Sequence, residues 1–378
     1  MRPLIALVLG LTLSIGPGCA SARQQATPTF HVTTVATGLD VPWDVRRLGT
    51  GPYLVTQRDR ATLTVVRANG TKSDVGFPSG KVWVSGETGL MGLEVDPALA
   101  TNRRVYTCSG WTTPTGGHDI RVIAWWLARD LSHVTLARTL IRGLPTTSGR
   151  HGGCQLLITR DGSLLVGTGD AATTANPQNL DSLGGKTLRI NRFTGAPWHT
   201  NPWRHATTKR RYVDTYGHRN VQGLAQRANG SLWSIEQGTY RDDEVNLLGP
   251  GHNYGWQPGP GYDESPPMTN FALPGKQYAA RWSSGDPTLA TSGGTFVPTS
   301  GWGRWSGALA VGVLKSTQVR FIKLDSTGHL LWSAAPAILT RFGRIRCVFA
   351  DRDGSLLITT SNGGSGLGGD LLLRVRFR

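Results

Sequence analysis

The chain has 378 residues, 38% of them hydrophobic, and its 40 Lys and Arg against 24 Asp and Glu give a formal net charge of +16. This length holds one large core or two ordinary ones, and 50 Gly and 21 Pro favour tight turns over long helices, so all-β architecture is the first expectation. The positive charge is spread along the chain without a recognition motif, which excludes nucleic acid as the expected partner and leaves an anionic ligand, anionic lipid head groups, an acidic envelope or plainly solvated arginines.

The chain opens "MRPLIALVLGLTLSIGPGCASA": one Arg, an apolar run, then small residues. This is the pattern of a secretory signal and is too short to span a bilayer, so residues 1–22 read as a signal peptide. Two processing outcomes stand side by side. Ala20-Ser21-Ala22 offers a small-x-small cleavage pattern, and Cys19 offers a lipidation site with membrane attachment. Either places the mature protein outside the cytoplasm, in the periplasm or cell envelope. Residues 23–33 read as a short tether and residues 34–378 as the folded unit.

Beyond the tether one pattern recurs. "RDGSLLVGTGD" (160–170), "ANGSLWSIEQG" (228–238) and "DRDGSLLITTSNGG" (351–364) each join a polar Gly-Ser turn, a short apolar strand and a Gly-rich exit; "GTGPYLVTQRD" (49–59) is a looser copy. Asn-Gly and Asp-Gly before such runs are hairpin signals, because their backbones reach positive φ. Between the copies lie "RVYTCSGW", "IRVIAWWLA", "HVTLARTLI" and "VRFIKL", while "NPQNLDSLGGKTLRI" offers at most a turn of helix. Repeated short strands at this scale argue for a β-propeller of about six to eight blades. Two β-sandwich domains would need a linker, and no composition break marks one. Three cysteines follow the signal, Cys108, Cys154 and Cys347, which allows one disulfide and one free thiol in an oxidising compartment.

Five stretches raise candidate chemistry. "GTGDAA" (167–172) has the glycines of a dinucleotide fingerprint but is followed by "TTANPQN" rather than an apolar helix, so that reading is rejected. "GRHGGCQL" places His151, a natural general base at neutral pH, among small neighbours; a solvated loop histidine is the simpler reading. "TYGHRNVQG" brings Arg219 beside Asn220, a cation able to stabilise an oxyanion, against the alternative of a self-satisfied turn. "GRIRC" sets Arg344 and Arg346 two apart, which on a strand puts both on one face, and Lys315 in "VLKST" can join them in a cationic cluster. "EQGTYRDDEVN" (236–246) then gathers four carboxylates in a basic chain: a metal site, a catalytic pair or a solvated turn.

Taken in order, "VPWDV", "GETGLMGLEVDP", "RHGGCQLLITRDGSLLVGTGD", "NPQNLDSLGGKTLRIN", "YGHRNVQGLA", "EQGTYRDDEVNLLGPGHNYGWQ" and "GRIRCVFADRDGSLLITT" resemble the soluble glucose/sorbosone dehydrogenases, which are pyrroloquinoline-quinone (PQQ)-dependent aldose sugar dehydrogenases. The resemblance runs from residue 34 to the C-terminus. It implies a six-bladed β-propeller holding PQQ and Ca²⁺ near its axis, an aldose sugar substrate and an external electron acceptor. It casts His151 as the base at the sugar's anomeric hydroxyl and Arg219 as the cation at the quinone oxygen. Glu87, Asn220, Lys315, Arg344 and Arg346 are further cofactor contacts by resemblance. The carbonyls of Gly238 and Thr239 match the cofactor calcium site, and Glu244 with the carbonyl of Tyr254 matches a second, structural calcium site.

The chain departs from the family pattern at Gln237 and Thr239, where "EQGT" replaces "EHGP", at Ala171 and Ala172, and at Cys154-Gln155. If those changes abolish cofactor binding, the same scaffold is a non-catalytic binding propeller of the cell envelope.

Overall fold

The computed structural model describes residues 29–363 and 369–378. The signal and lipidation readings, and residues 23–28 of the expected tether, lie outside the described residues. Strand β1 (Phe30–Leu39) starts inside the expected tether, so residues 30–33 belong to the fold.

The remaining strands form six antiparallel sheets in chain order. Blade 1 is β2 (Pro42–Arg47), β3 (Tyr53–Gln57), β4 (Thr62–Val66) and β5 (Lys72–Val75). Blade 2 is β6 (Leu90–Val95), β7 (Arg104–Thr112), β8 (His118–Leu127) and β9 (Val134–Leu144). Blade 3 is β10 (Gly153–Ile158), β11 (Ser163–Thr168), β12 (Lys186–Asn191) and β13 (Val213–Tyr216). Blade 4 is β14 (Val221–Gln226), β15 (Leu232–Glu236), β16 (Glu244–Leu248) and β17 (Trp282–Ser283). Blade 5 is β18 (Thr291–Phe296), β19 (Leu309–Val313), β20 (Gln318–Leu324) and β21 (Leu330–Ala334). Blade 6 is β22 (Ile345–Ala350), β23 (Leu356–Thr360) and β24 (Asp370–Phe377), completed by β1 from the other end of the chain.

The first strands of blades 1 to 6 touch in sequence around the ring, and β22 closes back onto β2. This is a six-bladed β-propeller. Its seam is the β1–β24 pairing, which aligns Phe30 with Phe377 and Thr34 with Leu373.

The recurring sequence unit is the second strand of a blade with the turn before it. In blade 3, Thr159 N–H donates to Ser163 O at 2.9 Å, Asp161 Oδ1 accepts from Ser163 N at 3.1 Å, and Gly162 sits at φ +88°. The turns at Asn229-Gly230 and Asp353-Gly354 repeat this geometry, with side-chain distances of 3.1 and 3.0 Å. The side chain ties the turn and glycine supplies the left-handed residue. Between blades, apolar faces interdigitate: Met91, Tyr106 and Val122 of blade 2 pack with Leu156, Leu164 and Leu188 of blade 3. Each such fully buried side chain contributes roughly 1.5–3 kcal/mol. Cys108 on β7 and Cys154 on β10 form a disulfide between these two blades, and Cys347 remains a buried thiol.

Candidate active site

In every blade the innermost strand starts on the same face of the ring, so residues that open these strands converge there. Trp43 comes from blade 1, Glu87 precedes blade 2, His151 precedes blade 3, Arg219 and Asn220 precede blade 4, and Arg346 lies on β22. Trp43, Arg58, Glu87, Gln222, Gln237, Ala290, Leu314, Arg344, Arg346 and Ser361 line one cavity of 160 Å³ at this convergence. A larger cavity of 730 Å³ lies against the faces of blade 2, lined by Phe77, Trp111, Trp125 and Leu136, and includes none of the expected site residues.

His151 is 3% exposed and has φ +53°, a left-handed backbone uncommon for a residue with a side chain. Its Nδ1 lies 2.9 Å from Asp170 Oδ1. Asp170 also accepts from Trp256 Nε1 at 2.7 Å, from the Tyr262 hydroxyl at 2.7 Å and from Ala172 N–H at 2.8 Å. Burial and then the charge of Asp170 hold the Tyr262 hydroxyl protonated, so it serves as a donor. Trp256, Ala172 and the Tyr262 hydroxyl keep this carboxylate an acceptor. That hydroxyl, 2.8 Å from Nδ1, spends its one proton on Asp170, so the His151 proton sits on Nδ1 and Nε2 is the basic nitrogen. Among the described residues Nε2 has no hydrogen-bond partner. The "GTGD" glycine is required for this approach: a Cβ on Gly169 would meet His151 O at 1.9 Å.

Arg219 is buried. Its Nε donates to Glu264 Oε1 at 3.1 Å, its Nη2 reaches the same oxygen, and its Nη1 donates to Gln237 O at 3.2 Å. Glu264 Oε2 accepts from Arg150 at 2.5 Å. Burial raises the Glu264 carboxyl, but Arg219 and Arg150 outweigh it and hold it below its usual range. Glu87 Oε2 accepts from His151 N–H at 3.1 Å and from Asn220 Nδ2 at 3.2 Å, so it ties blade 2 to both arms of the site.

Arg344 and Arg346 both line the cavity, as their spacing implies, although Arg344 precedes β22 and Arg346 sits in the bulge between Ile345 and Cys347. Arg346 is 2% exposed and its guanidinium stacks on Trp43, 3.4 Å from the ring centroid. Its Nε and Nη1 are buried without partners, and burial pulls the guanidinium below its usual range. A buried cation with orphaned donors beside a cavity is a place prepared for an anion. Lys315 is exposed, and its neighbour Leu314, not Lys315 itself, lines the cavity.

The acid-rich stretch divides into different roles. Glu236 accepts from Arg219 N–H at 3.0 Å, and its Oε1 lies 2.8 Å from His218 Nδ1. Asp243 is buried and pins the loop: it accepts from Gly238 N–H at 3.0 Å, Thr288 Oγ1 at 2.7 Å and Leu289 N–H at 2.6 Å. Gly238 allows this fold, because a Cβ there would meet Arg241 O at 2.0 Å. Among the described residues the carbonyls of Gly238 and Thr239 accept no hydrogen bond.

Glu244 is buried opposite Glu236, and burial and then Glu236 push its carboxyl up to about 8. Beside them Asn246 Oδ1 is a buried oxygen without a partner, and Thr269, which packs against Gly255 next to Tyr254, donates to Glu244 at 3.1 Å. Among the described residues no three His, Cys, Asp or Glu side chains gather as a metal cluster. The oxygens on offer are the Gly238 and Thr239 carbonyls at the first place, and the Glu244 carboxylate with the Asn246 amide oxygen at the second.

The sequence did not single out Asp170, Trp43, Arg150, Trp256, Tyr262 and Glu264 as site residues. Asp170 has a signal, since it ends the "GTGD" of a repeat strand. Tyr262 and Glu264 have none, because they sit in the aperiodic Gly- and Pro-rich connection between β16 and β17.

A propeller whose axis-facing loops hold a His–Asp pair near a buried cationic cavity fits the oxidoreductases of the sugar dehydrogenase class, and the chain's similarity to known proteins places it there. The sequence profile of the glucose/sorbosone dehydrogenase family matches residues 39–372, and the chain belongs to that family. It is similar to the aldose sugar dehydrogenase YliI of Escherichia coli, 29% identical over 352 residues that cover 90% of this chain and 93% of that one. It is also similar to quinoprotein glucose dehydrogenase B of Acinetobacter calcoaceticus, 29% identical over 68% of this chain and 59% of the relative. The PQQ-bound structure of an aldose sugar dehydrogenase from Streptomyces coelicolor superposes with a TM-score of 0.78 at 30% identity, covering 94% of this chain and 99% of that one.

Proposed function

We propose that the protein is a PQQ- and calcium-dependent dehydrogenase that oxidises the C1 hydroxyl of aldose sugars to lactones and passes two electrons to an external acceptor. One observation carries the reading. His151 Nδ1 is fixed on Asp170, which leaves Nε2 basic, and the His151 N–H is held by Glu87, which lines the cavity where Arg346 holds two unpaired buried donors. PQQ, when bound, supplies a quinone that takes the two electrons leaving C1. As a tricarboxylate it suits Arg344 and Arg346, with Trp43 as a flat wall.

His151 Nε2 accepts the hydroxyl proton as the C1–H bond breaks, and Asp170 stabilises the imidazolium. Arg219 directs its free N–H groups at negative charge developing on the accepting oxygen. Glu87 holds the His151 N–H and, through Asn220, ties it to the loop of Arg219, whose own N–H is held by Glu236. The carbonyls of Gly238 and Thr239 offer hard oxygens to a calcium ion at the cofactor, and Glu244 with the Tyr254 carbonyl offers them to a second. Thr239 contributes a carbonyl as well as proline would, so the "EQGT" departure leaves that ligand in place. The signal-like residues 1–22 and the Cys108–Cys154 disulfide support action outside the cytoplasm, with Cys19 as the lipid attachment point if it is the processed residue.

The test is titration of the purified protein with PQQ and Ca²⁺, following cofactor absorbance together with glucose-dependent dye reduction. Saturable binding with turnover supports the reading. No binding at micromolar PQQ overturns it in favour of a binding propeller of the envelope.

A further inference from the structure

The β16–β17 connection reaches back to blade 3, where Tyr262 touches His151 and Asp170 and Glu264 touches Arg150 and Arg219. We propose that Glu264 is the positioning residue that holds Arg219 in its working orientation and sets how much positive charge Arg219 presents to an anionic cofactor. This rests on the PQQ reading above and extends it to a residue outside the resemblance.

A guanidinium carries five N–H donors. In Arg219, Nε and one Nη2 hydrogen are taken by Glu264 and one Nη1 hydrogen by Gln237 O, so two remain to face a ligand. Among the described residues no other carboxylate contacts the Arg219 side chain, which is 5% exposed. The second oxygen of Glu264 holds Arg150, whose neighbour is His151. One carboxylate thus sits between two like charges and fixes the arms that flank the catalytic pair.

The same carboxylate opposes a tricarboxylate cofactor, since both compete for the charge of Arg219. Orientation and affinity therefore pull in opposite directions at Glu264. Removing the charge while keeping the shape strengthens attraction for PQQ and frees Arg219 to turn; a small misplacement of a charge-stabilising group costs about a hundredfold in rate.

The experiment compares wild type, Glu264→Gln and Glu264→Asp. PQQ affinity of the cofactor-free protein is read from tryptophan quenching, kcat from dye reduction with saturating PQQ and glucose, and folding from the thermal midpoint. We expect Glu264→Gln to bind PQQ about tenfold more tightly and to lose about tenfold or more in kcat, with Glu264→Asp recovering part of the rate at near wild-type affinity. Parallel loss of affinity, rate and thermal midpoint overturns the proposal in favour of a structural role, and so does a variant indistinguishable from wild type. If Glu264→Gln does not fold, Glu264→Asp decides: a lower kcat at unchanged affinity supports the proposal, and an unchanged kcat overturns it. Failure of every chain to bind PQQ is a different pattern, which removes the functional reading itself and the proposal with it.

Discussion

Nδ1 of His151 lies 2.9 Å from Oδ1 of Asp170, and the other three donors on that carboxylate come from Trp256, Tyr262 and the Ala172 backbone. The histidine is thus held in one tautomer by a residue that is itself immobilised. The expected result for His151→Ala is a fall in kcat on the order of 10²–10⁴ with PQQ affinity retained. Asp170→Asn should lower kcat similarly, because an amide can donate to Nδ1 and select the wrong tautomer. Cofactor titration alongside steady-state kinetics checks both. Loss of PQQ binding with loss of turnover would mean that the pair is scaffold.

Arg346 carries a buried charge whose Nε and Nη1 have no partners. Replacement by Met removes those orphans while keeping apolar contact with Trp43. The cofactor-free Arg346→Met protein should melt no lower than wild type, and the rise in thermal midpoint on adding PQQ should largely disappear. Differential scanning calorimetry with and without PQQ reads both effects. A variant that melts lower and still responds fully to PQQ would assign Arg346 to the core.

Glu244 and Glu236 face each other across β15 and β16, next to the unpartnered Asn246 oxygen. Calcium bound there, as proposed, would stabilise the folded state alone, by about 2.7 kcal/mol at a hundred times its dissociation constant. The thermal midpoint of the PQQ-free wild type should therefore rise with added Ca²⁺ and fall with a chelator, and Glu244→Gln should lose most of both responses. An equal calcium response in the two proteins would place the ion elsewhere.

Asp214 on β13 is buried with Oδ1 unpartnered, and burial pushes its carboxyl up to about 6. Between the unfolded value near 4 and this folded value the native state binds more protons. Stability from this group is thus full below about pH 4 and is lost as pH rises through 6, by about 3 kcal/mol. Asp214→Asn is neutral throughout, so it should raise the denaturation midpoint at pH 7.5 and have little effect at pH 4. Urea melts at the two pH values check the sign.

Much of the propeller was legible because its turns are chemically marked. Asp161-Gly162, Asn229-Gly230 and Asp353-Gly354 announce three second strands. The blade 2 copy went unmarked because its left-handed residue is Arg103, at φ +56°, where no glycine signals the turn. His151, Arg219, Asn220 and Glu87 were legible because each sits in a Gly-flanked loop at the start of an inner strand. Asp243 reads as a polar turn in sequence and proves to be the buried pin of the Gly238 loop, since nothing local shows that Thr288 and Leu289 fold back onto it. Tyr262 and Glu264 were invisible for the same reason: their partners lie 92 and 45 residues away.

The β1–β24 seam sets an order of events for the newborn chain. Phe30 emerges from the ribosome long before Phe377, its register partner, exists. Until the last strand arrives, β1 has an open edge and blade 6 has no outer strand. Closing a ring across almost the whole sequence is a slow, entropy-limited step, during which an unpaired strand edge is exposed to other chains. The first and last strands of the ring therefore work as a clasp, and the working face is assembled only once β24 has been made.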